Sequence, residues 1–330
     1  MTGRQFGGFA LVAAVFVLLA LLPLAPGTAY LMSLALPIAM YTVLATSWAL
    51  FSGPTHYISL ATAAFFGMGA YIVAVGINAL PYPVLVLIAA VAGALLAMLV
   101  GIATLRLAGV YFVIFTLGLA ELIRQIVTWV QNNFAGSRGL YVLTNITERI
   151  IYWELLALAA LVFLVGWLIG RSRLGFALRI IGNDEVVAAH CGIHSAGCKV
   201  VLFMISGTFA AVVGAVMAPR YAYIEPSIAF TAEISFQVVI MALLGGVHRL
   251  WGPLVGVIPF TLLWEAIAAT FPTQTVLLMG LAFLLIVYFI PNGVVGLLER
   301  LAHRARDTAT GRPDHPPTWP TRTMAGRRDG

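Results

Sequence analysis

Charged side chains are scarce in this chain of 330 residues: 9% of the residues are Asp, Glu, Lys or Arg, whereas 62% are hydrophobic. The mean hydropathy is correspondingly high, at +1.01. A soluble core of this size needs far less apolar surface, so the composition excludes a soluble globular protein and predicts a polytopic membrane protein. Strand-like alternation of period two is also absent. Because lipid cannot pair backbone polar groups, we predict an all-α fold.

Motifs for nucleotide binding and catalysis are missing as well. The chain has no Gly-x-x-x-x-Gly-Lys-Ser/Thr loop, which argues against ATP binding through a P-loop, and neither a nucleophile elbow nor an HExxH motif. It has two cysteines, and His190-Cys191-x2-His194-x3-Cys198 lacks the paired ligand spacing of structural zinc sites. We therefore predict no catalytic residue, no metal site and no cofactor bound by this chain.

Apolar runs between Gly and Pro breakers predict ten membrane spans, or nine if the short eighth run does not cross. A retained first helix is favoured over a cleaved signal peptide. The predicted spans are at about 8–25, 30–51, 60–79, 83–104, 110–130, 151–170, 200–218, 233–247, 253–270 and 275–296.

The distribution of basic residues predicts the orientation of these spans. With an even number of spans and both termini in the cytoplasm, 14 of the 18 Lys and Arg residues lie on the cytoplasmic side. The net charge of +6 thus reflects topology, and we predict no nucleic-acid partner. Residues 1–299 form the predicted transmembrane domain. Residues 300–330, rich in Arg and Pro, form a predicted disordered basic tail in the cytoplasm.

The longest polar interruption, residues 171–199, carries the strongest functional signal in the sequence. Asn183 and Asp184 are candidate N-caps of a short helix, and Glu185 follows in its first turn, where a negative charge suits the helix dipole. The helix is predicted to run to Cys191 and to end at Gly192. Such a short helix is marginal alone and is better explained if it docks on something, although an ordinary connecting loop is the alternative.

Charged residues within the predicted spans are the other candidate site. Glu121 and Arg124 are three residues apart and share a helical face. A charge near the bilayer centre costs about 3 kcal/mol, so these two residues should pair or face water. Pairing near the outer interface is favoured, and a place in a translocation path is the alternative. Glu265, alone on the ninth span, carries the same ambiguity.

Small residues in the segment 59–71 allow two interpretations. Such residues let helices approach closely, and they can also line a path for a solute. The residues in question are Ser59, Gly67 and Gly69.

The polar interruption resembles the loop of ABC importer permeases, specifically those of the branched-chain amino acid (LivM-like) family. The likeness continues from about residue 40 to 295, for example at Lys199 and at Leu250-Trp251-Gly252-Pro253. Gly182 and Asn183 depart from it, since the family usually has Arg and Glu there. The matching loop residues are Gly175, Ala177, Leu178, Arg179, Ile181, Asp184, Glu185, Ala188, Gly192 and Ile193.

This resemblance implies a permease subunit in a bacterial cytoplasmic membrane that imports leucine, isoleucine and valine. The loop would be the coupling element. The implied partners are a second homologous permease, two cytoplasmic ABC ATPases that carry ATP and Mg, and an extracytoplasmic solute-binding protein. Related importers for urea or short amides share much of the pattern. A secondary transporter working alone and a structural membrane scaffold are the alternatives from other classes.

Overall fold

A computed structural model of the chain describes residues 29–104, 109–135, 139–183, 185–247 and 249–274, together with Pro23 and isolated positions between 277 and 284. Apart from Pro23, the predicted first span lies outside the described residues, as do the basic tail and nearly all of the predicted tenth span.

The described part of the chain is almost entirely helical. We number its helices α1 to α11 and its strands β1 and β2. In chain order the elements are α1 Ala29–Thr55, α2 Thr62–Gly76, α3 Tyr82–Thr104, α4 Val110–Val130, a π-helical turn Gln131–Ala135, β1 Leu140–Tyr141, α5 Glu148–Arg171, α6 Arg173–Asn183, α7 Glu185–His190, α8 Ser195–Met217, a 3-10 turn Ala218–Arg220, β2 Tyr223–Ile224, α9 Pro226–Ala229, α10 Ala232–Gly245 and α11 Gly252–Thr270.

Seven stretches of the described chain are long and apolar enough to cross a membrane. Together with the shorter apolar helix α2, of 15 residues, they correspond to the predicted second to ninth spans. The predicted all-α polytopic fold is confirmed, whereas the total of ten spans stays a prediction. The seven stretches are Tyr30–Thr55, Tyr82–Thr104, Val110–Asn133, Glu148–Arg171, Ser195–Arg220, Pro226–Gly245 and Gly252–Thr270.

One small feature was not predicted. β1 and β2 form an antiparallel pair in which Leu140 lies opposite Ile224 and Tyr141 opposite Tyr223. Each strand has two residues, which is too short to produce a visible alternation in sequence. The pair lies between membrane-spanning helices and leaves the helical architecture unchanged.

Helix α8 is the centre of the bundle and packs against α1, α2 and α3. Small residues allow its backbone to approach α2 closely. A Cβ atom at Gly69 would lie 1.8 Å from the carbonyl oxygen of Ala211, and one at Gly214 would lie 1.9 Å from that of Phe66. Association of apolar helices in lipid depends on such close van der Waals packing.

Three polar segments meet at one end of the bundle, which we call the loop end. The segment that follows α5 touches the end of α1, where a Cβ at Gly182 would lie 3.1 Å from the Pro54 carbonyl oxygen. The α10–α11 connection lies there too, because a Cβ at Gly53 would be 2.6 Å from the Val247 carbonyl oxygen. The start of α1 and the end of α8 lie at the opposite end, which we call the far end.

Candidate functional site at the loop end

The polar interruption folds as a helical hairpin, α6 and α7, after a sharp turn at the end of α5. The backbone N–H and the hydroxyl of Ser172 both donate to the Ile169 carbonyl, and the Gly175 N–H donates to the Ser172 hydroxyl at 3.3 Å. A Cβ at Gly175 would lie 2.2 Å from the Ile169 carbonyl oxygen. The turn therefore requires glycine at this predicted site position.

Helix α6 has one buried face and one exposed face. Leu178 and Ile181 are 4% and 6% exposed and belong to the main hydrophobic core. Arg173, Phe176 and Arg179 are exposed at helical spacing, with Phe176 67% exposed. Ala177 lies between the two faces and is half-buried. The hairpin is thus anchored by apolar side chains and presents a basic surface around one exposed aromatic ring.

Helix α7 is closed by Gly192, as the sequence predicts. Gly192 has a φ of 76°, the Ile193 N–H donates to the Ala188 carbonyl, and the Gly192 N–H donates to the Ala189 carbonyl. These two bonds and the left-handed glycine form a Schellman motif. The helix is one residue shorter than predicted, ending at His190 rather than Cys191. Ala188, within this helix, is fully buried.

The predicted start of α7 needs a correction. Asn183, predicted as a candidate N-cap of α7, is instead the last residue of α6. Only one residue separates the two helices. That residue is Asp184, the other candidate N-cap, and it lies outside the described residues.

Glu185 and Lys199 form an ion pair that ties α7 to the N-terminal part of α8. The Lys199 ammonium donates to both carboxylate oxygens of Glu185 at 2.8 Å. Lys199 is 3% exposed, whereas the Glu185 side chain is 53% exposed. The ammonium also lies 4.5 Å from the ring centroid of Tyr57, a cation–π distance. A buried cation is costly unless it is paired, so Glu185 holds the hairpin on the bundle.

Glu121 and Arg124 pair with each other on α4. The Arg124 Nε–H donates to Glu121 Oε2 at 2.8 Å, and the Gln125 amide donates to Glu121 Oε1 at 2.9 Å. The Glu121 and Arg124 side chains are 53% and 33% exposed, so the pair lies on the surface of the described bundle. The predicted contact is present, and a place of this pair in a translocation path stays a prediction.

The small-residue segment takes part in packing. The Ser59 carbonyl accepts a hydrogen bond from the Trp48 indole at 2.8 Å, and Ser59 is 3% exposed. Gly67 faces Phe230, whose ring would lie 2.3 Å from a Cβ at this position, and Gly69 faces α8. Glu265 lies elsewhere, beside a cavity toward the far end that also adjoins Arg220.

The predicted site residues are therefore divided between the interior and the surface of the protein. Gly175, Leu178, Ile181 and Ala188 are buried, while Arg179 and Glu185 are exposed. Cys191 and Cys198 are free thiols, and the described residues include no group of three or more His, Cys, Asp or Glu side chains placed to hold a metal.

Sequence reasoning missed two residues of this site. Lys199 was noted only as part of a motif, although a lone lysine at the start of an apolar helix, 14 residues after Glu185, was a usable signal. Phe176 gave no signal, because an aromatic residue in a short amphipathic helix is usually part of the core.

The chain is similar to known transport proteins. The family model described as branched-chain amino acid transport system / permease component matches residues 30–289. The permease protein LivM of the high-affinity branched-chain amino acid transport system of Escherichia coli (strain K12) is 26% identical over 245 residues, which cover 64% of this chain and 56% of that protein. LivM of Salmonella typhimurium is 25% identical over 245 residues, and BraD of Pseudomonas aeruginosa is 32% identical over 133 residues, 40% of this chain and 42% of that protein. The chain spans about half the length of these relatives.

Proposed function

This chain belongs to the family of permease components of branched-chain amino acid transport systems, and on that premise we propose that it is the transmembrane permease subunit of an ATP-driven importer for leucine, isoleucine and valine. It lies in the bacterial cytoplasmic membrane with both termini inside. Its partners are a second permease, two cytoplasmic ABC ATPases and an extracytoplasmic solute-binding protein. ATP and Mg bind the ATPases, and this chain performs no chemistry.

The hairpin at the loop end carries this proposal. An ATPase that moves during its cycle can do work on a permease only through an element that is exposed on one side and firmly attached on the other. The α6–α7 hairpin meets both conditions, because Phe176 and Arg179 face outward while Lys199 and Glu185 fix the hairpin to α8.

The exposed face of α6 also indicates the chemistry of the docking surface. Arg173 and Arg179 flank Phe176, so a partner with an acidic rim around an apolar pocket is complementary to this face. Val187 on α7, 50% exposed, adds a second apolar contact. Displacement of this surface is passed to α8, the central helix, through the ion pair at Glu185.

The test is leucine uptake by the complex purified through a tag on this chain and reconstituted in liposomes. We expect uptake that requires both ATP and the solute-binding protein. Phe176→Ser should abolish association with the ATPases, and with it ATP-driven uptake, because it removes the central apolar contact without disturbing the core. Leu143→Ser, which changes an exposed apolar residue outside the hairpin, should leave both intact.

Two results would contradict the proposal. Purified chain that moves leucine across liposomes without ATPases would be a carrier working alone. A Phe176→Ser complex that retains its ATPases and full uptake would remove the hairpin face from the coupling interface.

A further inference from the structure

A cavity of about 200 Å³ lies toward the far end of the bundle, among α1, α8, α10 and α11. Met40 and Met217 place it there, since Met40 is in the first half of α1 and Met217 is the last residue of α8. Pockets for drug-sized ligands measure roughly 300–1,000 Å³, so this cavity suits a smaller solute. It is separate from the hairpin, which attaches to the opposite end of α8.

Most of the cavity wall is apolar and adaptable. Met40, Met217 and Met241 line it together with the ring of Trp264. Unbranched thioether side chains adjust to ligands of different shape, as at other promiscuous binding surfaces. A wall of this kind accommodates aliphatic side chains that differ in where they branch.

One polar group in the wall has no partner. The hydroxyl of Thr261 is buried, with the residue 5% exposed, and makes no hydrogen bond within the described part of the chain. Leaving a buried hydroxyl unpaired costs free energy, and such groups in native proteins usually serve a ligand or a water molecule. Since Thr261 lines the cavity, its missing partner is expected inside.

Charges of both signs border the same space. Arg220 lines the cavity, and the one ion pair that it forms within the described part of the chain is long, with Nε 3.7 Å from Glu148 Oε1. A guanidinium has five N–H donors, so it retains donors for a carboxylate. Glu265 borders the cavity from α11 and is exposed, so it can accept from an ammonium group.

Two other polar side chains of the wall, those of Tyr41 and Gln237, are already paired. The Tyr41 hydroxyl donates to Gln237 Oε1, and the Gln237 amide donates to Glu233 Oε1 at 3.2 Å. This chain of hydrogen bonds holds Gln237, which is 7% exposed, in place beside the solute space. It fixes this part of the cavity wall, while Thr261, Arg220 and Glu265 remain to bind a solute.

We propose that this cavity binds a zwitterionic amino acid with an aliphatic side chain as it crosses the membrane. Arg220 binds the carboxylate, Glu265 binds the ammonium group, the Thr261 hydroxyl completes its missing hydrogen bond on the solute, and the methionines surround the side chain. The inference rests on the proposed function and adds a solute site within this subunit. Urea and short amides match it less well, since they carry neither the charges nor the aliphatic group.

Thr261→Val is the direct test, because it removes the hydroxyl and keeps the side-chain shape. In the reconstituted complex we expect leucine uptake to fall about tenfold, the equivalent of one lost hydrogen bond, while the chain remains folded because an unpaired buried polar group has been removed. Thr144→Val is the matched control: the Thr144 hydroxyl is also buried and unpartnered within the described part of the chain, but Thr144 does not line this cavity. Its uptake should match that of the wild type.

A second measurement uses this chain without transport. Met40→Cys, in a chain with Cys191→Ser and Cys198→Ser, is treated with a small water-soluble methanethiosulfonate. We expect leucine to slow the modification and urea to leave it unchanged. Uptake by Thr261→Val equal to that of the control, or modification that leucine does not slow, would overturn the site. Wild-type complex that moves no leucine with ATP would instead contradict the proposed function.

Discussion

Lys199 is the residue on which the attachment of the hairpin depends. Its ammonium is held by the Glu185 carboxylate and lies near the Tyr57 ring. The two members of the ion pair differ in their access to water, since Lys199 is 3% exposed and the Glu185 side chain 53% exposed. The consequences of losing one member should therefore differ, because only the lysine would be left buried without a counter-charge.

Glu185→Gln should accordingly be more destabilising than Lys199→Met. The first change leaves a buried ammonium unpaired and should lower the free energy of unfolding by about 3 kcal/mol, whereas the second leaves a carboxylate that water can solvate and should cost less than about 1 kcal/mol. Denaturant unfolding in detergent measures both. The reversed pair, Glu185→Lys with Lys199→Glu, should recover part of the stability that Glu185→Lys alone loses. A reversed pair that recovers none of this stability would show that the two side chains do not stabilise each other and that the pair does not hold the hairpin.

Gly175 sets the path of the chain from the membrane into the hairpin. Gly175→Ala would place a methyl group 2.2 Å from the Ile169 carbonyl oxygen. We expect a loss of about 2 kcal/mol in unfolding free energy, since overpacking forces the backbone to shift. Gly170→Ala, in the same turn, is the control, because a Cβ there meets nothing within 4 Å. It should change stability by less than about 1 kcal/mol. A harmless Gly175→Ala would mean that the turn tolerates displacement of α6.

At the scale of elements, the sequence was most informative where the signal is local. Apolar runs predicted the spans because lipid requires about 20 consecutive apolar residues per helix. Gly192 predicted the end of α7, because the Schellman motif is closed by a left-handed residue and does not depend on contacts with distant segments. The start of α7 was less predictable, since Asn183 can cap one helix or end another, and here it ends α6.

Contacts between distant segments could not be predicted from the letters. The end of the connection between α1 and α2, residues 59–61, is buried, and its backbone groups need partners. The Thr116 hydroxyl accepts from the Leu60 N–H at 3.0 Å, while the Ser235 hydroxyl accepts from the Ala63 N–H and donates to the Leu60 carbonyl, both at 2.9 Å. Thr116 belongs to α4 and Ser235 to α10, and neither residue is part of a recognisable sequence motif. The cavity at Thr261 could not be predicted from the sequence either, because it forms only when four helices assemble.

At the scale of the whole molecule, the two proposed sites lie at opposite ends of α8. The hairpin is tied to the N-terminal part of this helix at Lys199, and the cavity adjoins its last residue, Met217. A rigid central helix that touches both sites gives a physical route by which movement of the hairpin changes access to the cavity. The arrangement requires the loop end to face the ATPases and the cavity to lie toward the side from which solute arrives.

Cysteine labelling measures this sidedness directly. Cys191 is exposed on the hairpin, and Leu143, 78% exposed, lies between the π-helical turn and α5. With Cys198→Ser to remove the second thiol, a membrane-impermeant maleimide should label Cys191 only after the cells are permeabilised. Leu143→Cys, in a chain with Cys191→Ser and Cys198→Ser, should be labelled in intact cells. The basic residues favour this orientation, since 14 of 18 then lie on the cytoplasmic side. Labelling of Cys191 in intact cells would place the hairpin beyond the reach of any cytoplasmic ATPase.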